Sequence, residues 1–170
     1  MEEDKIAYKI KEMENQKIQP GTTLREIKEY LKSNYKVGCK CPACNQNVKL
    51  HPRKLNSSMA FGLVILYKLQ RIGGVKMNEE IAKLKIPSSN IEYAKLAYWK
   101  LAEEVQSLKG KRSGHWKITK LGIDFVRGDK TVSKTAYVYN NNCYGLSPDQ
   151  VTLDKAFGTK FKYHDLLKSI

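Results

Sequence analysis

The hydrophobic positions between residues 56 and 85 predict two successive helices of different character. The first, capped by Asn56 or Ser57, is apolar nearly all round from Phe61 to Leu66, a pattern typical of a buried central helix. The second is predicted from Asn78 to Lys85. Asn78 is expected to be its N-cap, and acidic residues follow in the first turn, where the helix dipole favours them.

A third helix and a β-hairpin are predicted further along the chain. Pro87 breaks the pattern, and the third helix begins at about Ile91 and ends between Glu103 and Ser107. There follow a basic turn at residues 109–114, a strand-like segment at 115–119 and a helix at 120–127 closed by Gly128. This is the order of parts in a winged helix-turn-helix, a fold whose second helix often enters the major groove of DNA.

Further elements are predicted on both sides of this core. A charged helix is expected up to about Lys17, followed by a helix capped by Thr22 or Thr23 with Glu26 in the capping-box position. Past Gly128, strands are predicted around a turn at Asn140–Asn142. We therefore predict an α+β protein with the following parts: N-terminal helices at 1–35, a cysteine knuckle and basic loop at 36–55, a winged helix at 56–128 and a small β-containing appendage at 129–170.

Positive charge is concentrated in the middle of the chain. The formal net charge is +14, and residues 21–75 alone carry ten basic and two acidic side chains. A field of this size attracts polyanions and raises their association rate. The charge indicates nucleic acid as a partner, although a lysine-rich surface without a dedicated ligand is the alternative.

Two groups of residues are candidates for contact with duplex DNA. On the third helix, Tyr93, Lys95, Tyr98 and Lys100 are expected to remain exposed. The cations expected to meet phosphates are Lys109, Lys111 and Arg112 on the Gly-bounded turn, with Arg53 and Lys54 before the helix capped at Asn56. Phosphate contacts position a protein without reading sequence. The third helix has no Arg or Gln for base readout, so an interface with a protein is an open alternative.

The strongest chemical motif is the cysteine cluster Cys39, Cys41 and Cys44. A C-P-x-C turn directs two thiolates to one point, as in zinc knuckles, so a structural zinc site formed with His51 is predicted. Cys143 or His115 could supply the fourth ligand instead. A metal-free reduced turn and redox chemistry are the alternatives, although no βαβ pattern surrounds the motif as in thioredoxin-like proteins.

The sequence carries little that predicts catalysis or membrane insertion. Three histidines are present, and no glycine-rich phosphate loop or nucleophile elbow is found. The longest apolar run, from Met59 to Tyr67, is too short to span a bilayer. The N-terminus lacks the features of a signal peptide. We therefore expect a non-enzymatic cytoplasmic protein.

The segment from Ser113 to Gly128 resembles the wing and final helix of winged-helix regulators. Together with Cys41–Cys44 and Arg53–Asn56, it also resembles small proteins encoded by tailed phages and prophages, over about Tyr35 to Leu167. That resemblance implies a phage protein acting in the bacterial cytoplasm, but the family brings no established activity. Two hypotheses follow: a DNA-binding regulator, or a protein that binds and modulates a host protein through the same scaffold. Analogy with winged-helix regulators also suggests a homodimer.

Overall fold

The structure, a computed structural model, describes residues 22–70, 73–85, 91–106 and 112–158. The chain divides into two compact units. The smaller unit contains residues 1–51 and 138–141, and the larger unit contains residues 52–137 and 142–170. The predicted helix that ends near Lys17 lies outside the described residues. The finer division into four segments stays a prediction.

The described part of the smaller unit begins with a helix whose start is well defined. Helix α1 covers Leu24–Asn34, and its N-cap is Thr23. The Thr23 side chain accepts a hydrogen bond from the N–H of Glu26, and the Glu26 carboxylate accepts one from the N–H of Thr23 at 2.7 Å. The predicted capping box is therefore confirmed, and its two bonds satisfy backbone donors that a helix start would otherwise leave free.

A short antiparallel ribbon follows the helix. Strands β1 (Cys39–Lys40) and β2 (Asn47–Val48) pair with Cys39 opposite Val48. The N–H of Leu50 donates to the carbonyl oxygen of Tyr35 at 3.1 Å, which attaches the ribbon to the end of α1.

The central element of the larger unit is a buried helix. Helix α2 covers Ser57–Leu69, and the Asn56 side chain caps it by accepting from the N–H of Met59 at 3.0 Å. All residues from Met59 to Leu66 are buried. The prediction of a central helix capped at Asn56 or Ser57 is confirmed, and Asn56 is the cap.

Around this helix the chain forms a three-stranded sheet with helices between its strands. In order, the elements are β4 (Val75–Lys76), α3 (Met77–Lys83), a 3₁₀ helix (Tyr93–Trp99), β5 (Ala102–Gln106), β6 (Arg112–Ile118) and α4 (Lys120–Arg127). Strand β6 lies between β4 and β5 and is antiparallel to both. Gly128 ends α4 in the left-handed region at φ 82°, as predicted.

Two details of this region differ from the prediction. Asn78 is not an N-cap, because α3 begins at Met77 directly after a strand in which Val75 pairs with Trp116. Instead, the Asn78 side-chain oxygen accepts a hydrogen bond from the Tyr93 hydroxyl at 2.9 Å. The predicted third helix is also shorter and more tightly wound than an α-helix, since it is a 3₁₀ helix.

The tail adds a hairpin and a short helix. Its elements are β7 (Val132–Ser133), β8 (Thr135–Tyr139), β9 (Asn142–Leu146), β10 (Gln150–Val151) and α5 (Leu153–Phe157). Asn140 and Asn141, with φ of 47° and 60°, form the tight turn between β8 and β9, which confirms the predicted hairpin.

The tail is joined to a part of the chain that was predicted to be a loop. Residues His51–Lys54 form strand β3, and the order of that sheet is β3-β8-β9. The loop prediction at this segment is wrong, because it could not include a pairing with residues more than eighty positions away. The mixture of helices and antiparallel sheets confirms the α+β class.

Candidate nucleic-acid interface and cysteine turn

The 3₁₀ helix is fixed closely against α2 at Gly62. A Cβ atom at Gly62 would lie 2.8 Å from the Cβ atom of Tyr93, so glycine permits the close approach. The Tyr93 ring meets Trp116 edge-on, with 5.6 Å between ring centroids. Partial burial raises the pKa of Tyr93, and the negative charge of Glu104 adds to this. Tyr93 is therefore engaged in packing and in its hydrogen bond to Asn78.

The other three predicted contact residues on this helix differ from one another. Lys95 is half-buried and pairs with the carboxylate of Glu92, so its charge is offset locally. Tyr98 is half-buried beside Trp99, at 6.3 Å between centroids. Lys100 is exposed and adopts the left-handed conformation, with φ 57°. Among the four predicted residues, Lys100 is thus the one whose charge faces solvent most openly.

The predicted wing is the connection between β5 and β6. Gln106 near the end of β5 pairs with Arg112 at the start of β6. Lys109 and Lys111 fall within residues 107–111, which lie outside the described residues, as does the side chain of Arg112. At the base of the hairpin, Glu103 pairs with Lys117 at 3.0 Å, and this pair is half-exposed.

Arg53 and Lys54 are exposed on β3, next to the start of α2. That helix end is already occupied by protein groups. The Asn56 side-chain oxygen accepts a hydrogen bond from the N–H of Met59, and its amide nitrogen donates one to the Glu92 carboxylate at 3.1 Å. The negative charge of Glu92 at this position would oppose a phosphate bound at the helix end, and the phosphate contacts of Arg53 and Lys54 stay a prediction.

The cysteine turn has the local geometry of a thiolate-stabilising knuckle. The carbonyl oxygen of Cys41 accepts from the N–H of Asn45 at 2.8 Å, which closes the turn. Its sulphur accepts hydrogen bonds from the N–H groups of Ala43 and Cys44 and from the Cys44 thiol, and these lower the pKa of Cys41. Burial raises the pKa of Cys39, and the nearby Cys41 sulphur contributes in the same direction.

Within the described ranges, no three side chains of His, Cys, Asp or Glu are grouped so that they could hold a metal ion. His51 is exposed on β3. The alternative ligands Cys143 and His115 belong to the larger unit, where each contacts the backbone nearby, at Gly145 and Ser113 respectively. The zinc site stays a prediction of the sequence.

The smaller unit also has exposed lysines that were not singled out from the sequence. Lys28, Lys32 and Lys40 are all exposed, and their contribution was visible only as part of the high positive charge of residues 21–75.

Comparison with known proteins returned no match: no family model, no curated protein and no solved structure matches the chain. The resemblance to winged-helix regulators and phage proteins therefore stays a prediction. Across the described part of the chain, no helix is long and apolar enough to cross a membrane.

Proposed function

We propose that residues 56–128, within the larger unit, form a winged helix that binds duplex nucleic acid without catalysing a reaction. The observation that carries this proposal is the combination of element order and sheet order. Helix α2, strand β4, helix α3, the 3₁₀ helix, the β5–β6 hairpin and helix α4 follow one another, and the sheet has the order β4-β6-β5. The net charge of +14 supports a polyanionic ligand.

In this proposal phosphate contacts supply most of the affinity. Lys109, Lys111 and Arg112 lie on the hairpin connection and at its end, where they approach the backbone of the duplex. Exposed cations elsewhere in the larger unit, Lys100, Arg53 and Lys54, add further contacts. Base readout is a minor part, because Tyr93 is held by Asn78 and Lys95 by Glu92.

The wing is tested by charge removal with a matched control. K111A/R112A should weaken binding to unrelated duplexes about equally and lower the slope of log affinity against log salt by about 2, since each lost phosphate contact removes roughly 0.9. The control K76A/K83A removes the same charge from lysines that pair with Glu79 and Glu80, at 2.8 and 2.9 Å. Equal effects of the two variants, or no effect of the first, would remove the wing from the proposal.

A second candidate function is the binding of a host protein. The observation that favours it is the exposed apolar surface of the β8–β9 hairpin, where Tyr137, Tyr144 and Leu146 are 38%, 50% and 46% exposed. Tyrosine is enriched in protein interfaces. The two functions are separated by affinity capture from a nuclease-treated bacterial lysate. A host-protein binder retains one defined partner after the treatment, whereas a DNA binder loses its co-purifying material.

A further inference from the structure

Between residues 22 and 51, the described part of the smaller unit that contains helix α1 and the β1–β2 ribbon, positive charge exceeds negative charge. Residues 22–51 contain six basic and two acidic side chains. The Glu26 carboxylate is held by Thr23 in the capping box, and the Glu29 carboxylate pairs with Arg25 at 3.2 Å. No carboxylate among the described residues pairs with the remaining five cations, which are Lys28, Lys32, Lys36, Lys40 and Lys49.

On helix α1 the lysines lie away from the packed side. Ile27, Tyr30 and Leu31 are half-buried, whereas Lys28 and Lys32 are exposed. The two lysines are four residues apart, so they share one face of the helix. Two unpaired ammonium groups at this spacing repel each other slightly, and an anion bound near both would relieve that repulsion.

On the β1–β2 ribbon the lysines also face outward. Lys40 pairs with Asn47, and both are exposed, whereas the neighbouring Val48 is buried. Successive side chains of a strand point to opposite faces, so Lys40 and Asn47 lie on the face away from Val48. Lys49, which follows β2, is exposed as well.

Several lysines of the larger unit, in contrast, form ion pairs with nearby glutamates. Lys76, Lys83 and Lys117 each pair with a glutamate within 3.0 Å. The local charge of these residues is therefore partly cancelled. Each lysine contributes one positive charge to the chain in either unit. Three paired lysines of the larger unit nevertheless produce a weaker positive potential at the surface than three unpaired lysines of the smaller unit.

We infer that the exposed lysines of α1 and the β1–β2 ribbon form a second surface that binds the phosphate backbone of nucleic acid, separate from the winged helix. We call it the lysine surface; it consists of Lys28, Lys32, Lys36, Lys40 and Lys49. Lysine acts on phosphate as a point charge that needs no fixed bidentate geometry. It is depleted in protein interfaces, which favours a nucleic acid over an acidic protein as the ligand. The inference rests on the proposed function.

The test compares two triple variants of the full chain. K28A/K32A/K40A removes three charges from the lysine surface, and K76A/K83A/K117A removes three from the ion pairs of the larger unit. Binding of a labelled random duplex is followed by fluorescence anisotropy at several salt concentrations. The first variant should lower the slope of log affinity against log salt by about 2 to 3 and weaken binding to unrelated duplexes equally. The second, with the same net charge, should stay near the wild-type slope.

Two further measurements keep the outcome interpretable. Circular dichroism melts verify that each variant is folded, and K28R/K32R/K40R, which retains the charge, should bind like the wild type. If the wild type binds the duplex and the two triple alanine variants behave alike, the lysine surface is overturned while the proposed function stands. If the wild type does not bind nucleic acid, both fall, and retention of an acidic host protein would assign the lysine surface to that partner.

Discussion

The indole N–H of Trp99 donates a hydrogen bond to the backbone carbonyl oxygen of Ser133, with 2.6 Å between nitrogen and oxygen. Trp99 ends the 3₁₀ helix and is 2% exposed, and Ser133 ends strand β7. The bond therefore joins the segment predicted to face nucleic acid to the tail that follows Gly128. The tail therefore helps to hold the 3₁₀ helix in position.

Removal of this bond should lower the free energy of unfolding. W99F replaces the buried indole by a smaller aromatic ring and leaves the Ser133 carbonyl without its N–H donor, and the two losses together should cost about 1 to 3 kcal/mol. W99A also opens a cavity and should cost about 3 to 5 kcal/mol. Urea unfolding followed by circular dichroism measures both values. A W99F protein as stable as the wild type would show that neither the bond nor the lost ring atoms contribute to stability.

Glycine at position 122 lets helix α4 approach the backbone of Leu101 more closely than a residue with a Cβ atom would allow. A Cβ atom at this position of α4 would overlap the carbonyl oxygen of Leu101. G122A should therefore destabilise the protein by about 1 to 3 kcal/mol, although alanine is the better helix former. The control is G145A on β9, where a Cβ atom would meet nothing within 4 Å. This variant should stay within about 0.5 kcal/mol of the wild type. The same urea titration compares them, and equal stabilities would refute the close packing.

Glu92 should make the stability of the larger unit depend on pH. Hydrogen bonds from Lys95 and then Asn56 lower the pKa of the Glu92 carboxyl below its ordinary 4.5. A lowered pKa contributes stability that is complete above the ordinary value and is lost as the pH falls through the lowered one. E92Q should cost about 1 kcal/mol at pH 7 and show a smaller loss of stability between pH 6 and pH 3 than the wild type.

The control for Glu92 is E103Q, which removes a carboxylate from the half-exposed pair with Lys117. Exposed pairs contribute little, so its stability should follow the wild type at both ends of the pH range. If E92Q and E103Q gave the same pH dependence, the hydrogen bonds to Glu92 would have no role in it.

The cysteine turn should give two thiols of different acidity. The N–H groups of Ala43 and Cys44 lower the pKa of Cys41, and burial raises the pKa of Cys39. As the pH rises, the Cys41 thiolate should therefore form first. The rate of iodoacetamide alkylation at each cysteine, resolved by mass spectrometry in the presence of a chelator, gives the two midpoints. Burial changes the absolute alkylation rates, so the comparison uses the pH at which each rate is half its maximum. A lower midpoint for Cys39 than for Cys41 would contradict the predicted order of the two thiol pKa values.

Local signals predicted the ends of several elements correctly. Helix caps and terminators depend on contacts within a few residues. The first cap was expected at Thr22 or Thr23 and the second at Asn56 or Ser57, and the structure selects Thr23 and Asn56. It also places the terminator Gly128 as expected. The Asn140–Asn141 turn is of the same kind, because asparagine tolerates the left-handed conformation that a tight hairpin requires.

Long-range pairing accounts for most of the differences. Asn78 has the chemistry of an N-cap, but β4 pairs with β6 and carries the chain directly into α3, so Asn78 accepts from Tyr93 instead. Strand β3 is similarly hidden in the sequence, since its partner β8 lies far along the chain. Lys95, expected to be an exposed cation, pairs instead with the carboxylate of Glu92 three residues earlier, a local helical spacing that the prediction did not use. For the strand partners, by contrast, periodicity and residue type carry no information.

The central claim, that this chain binds duplex nucleic acid mainly through phosphates, is tested most directly by fluorescence anisotropy of a labelled random duplex with the purified full chain between about 50 and 200 mM salt. Six to ten phosphate contacts predict micromolar or tighter binding at low salt and a loss of roughly a thousand- to a hundred-thousand-fold across this range. Absence of binding at the lowest salt concentration would contradict the claim, and the host-protein function would take its place.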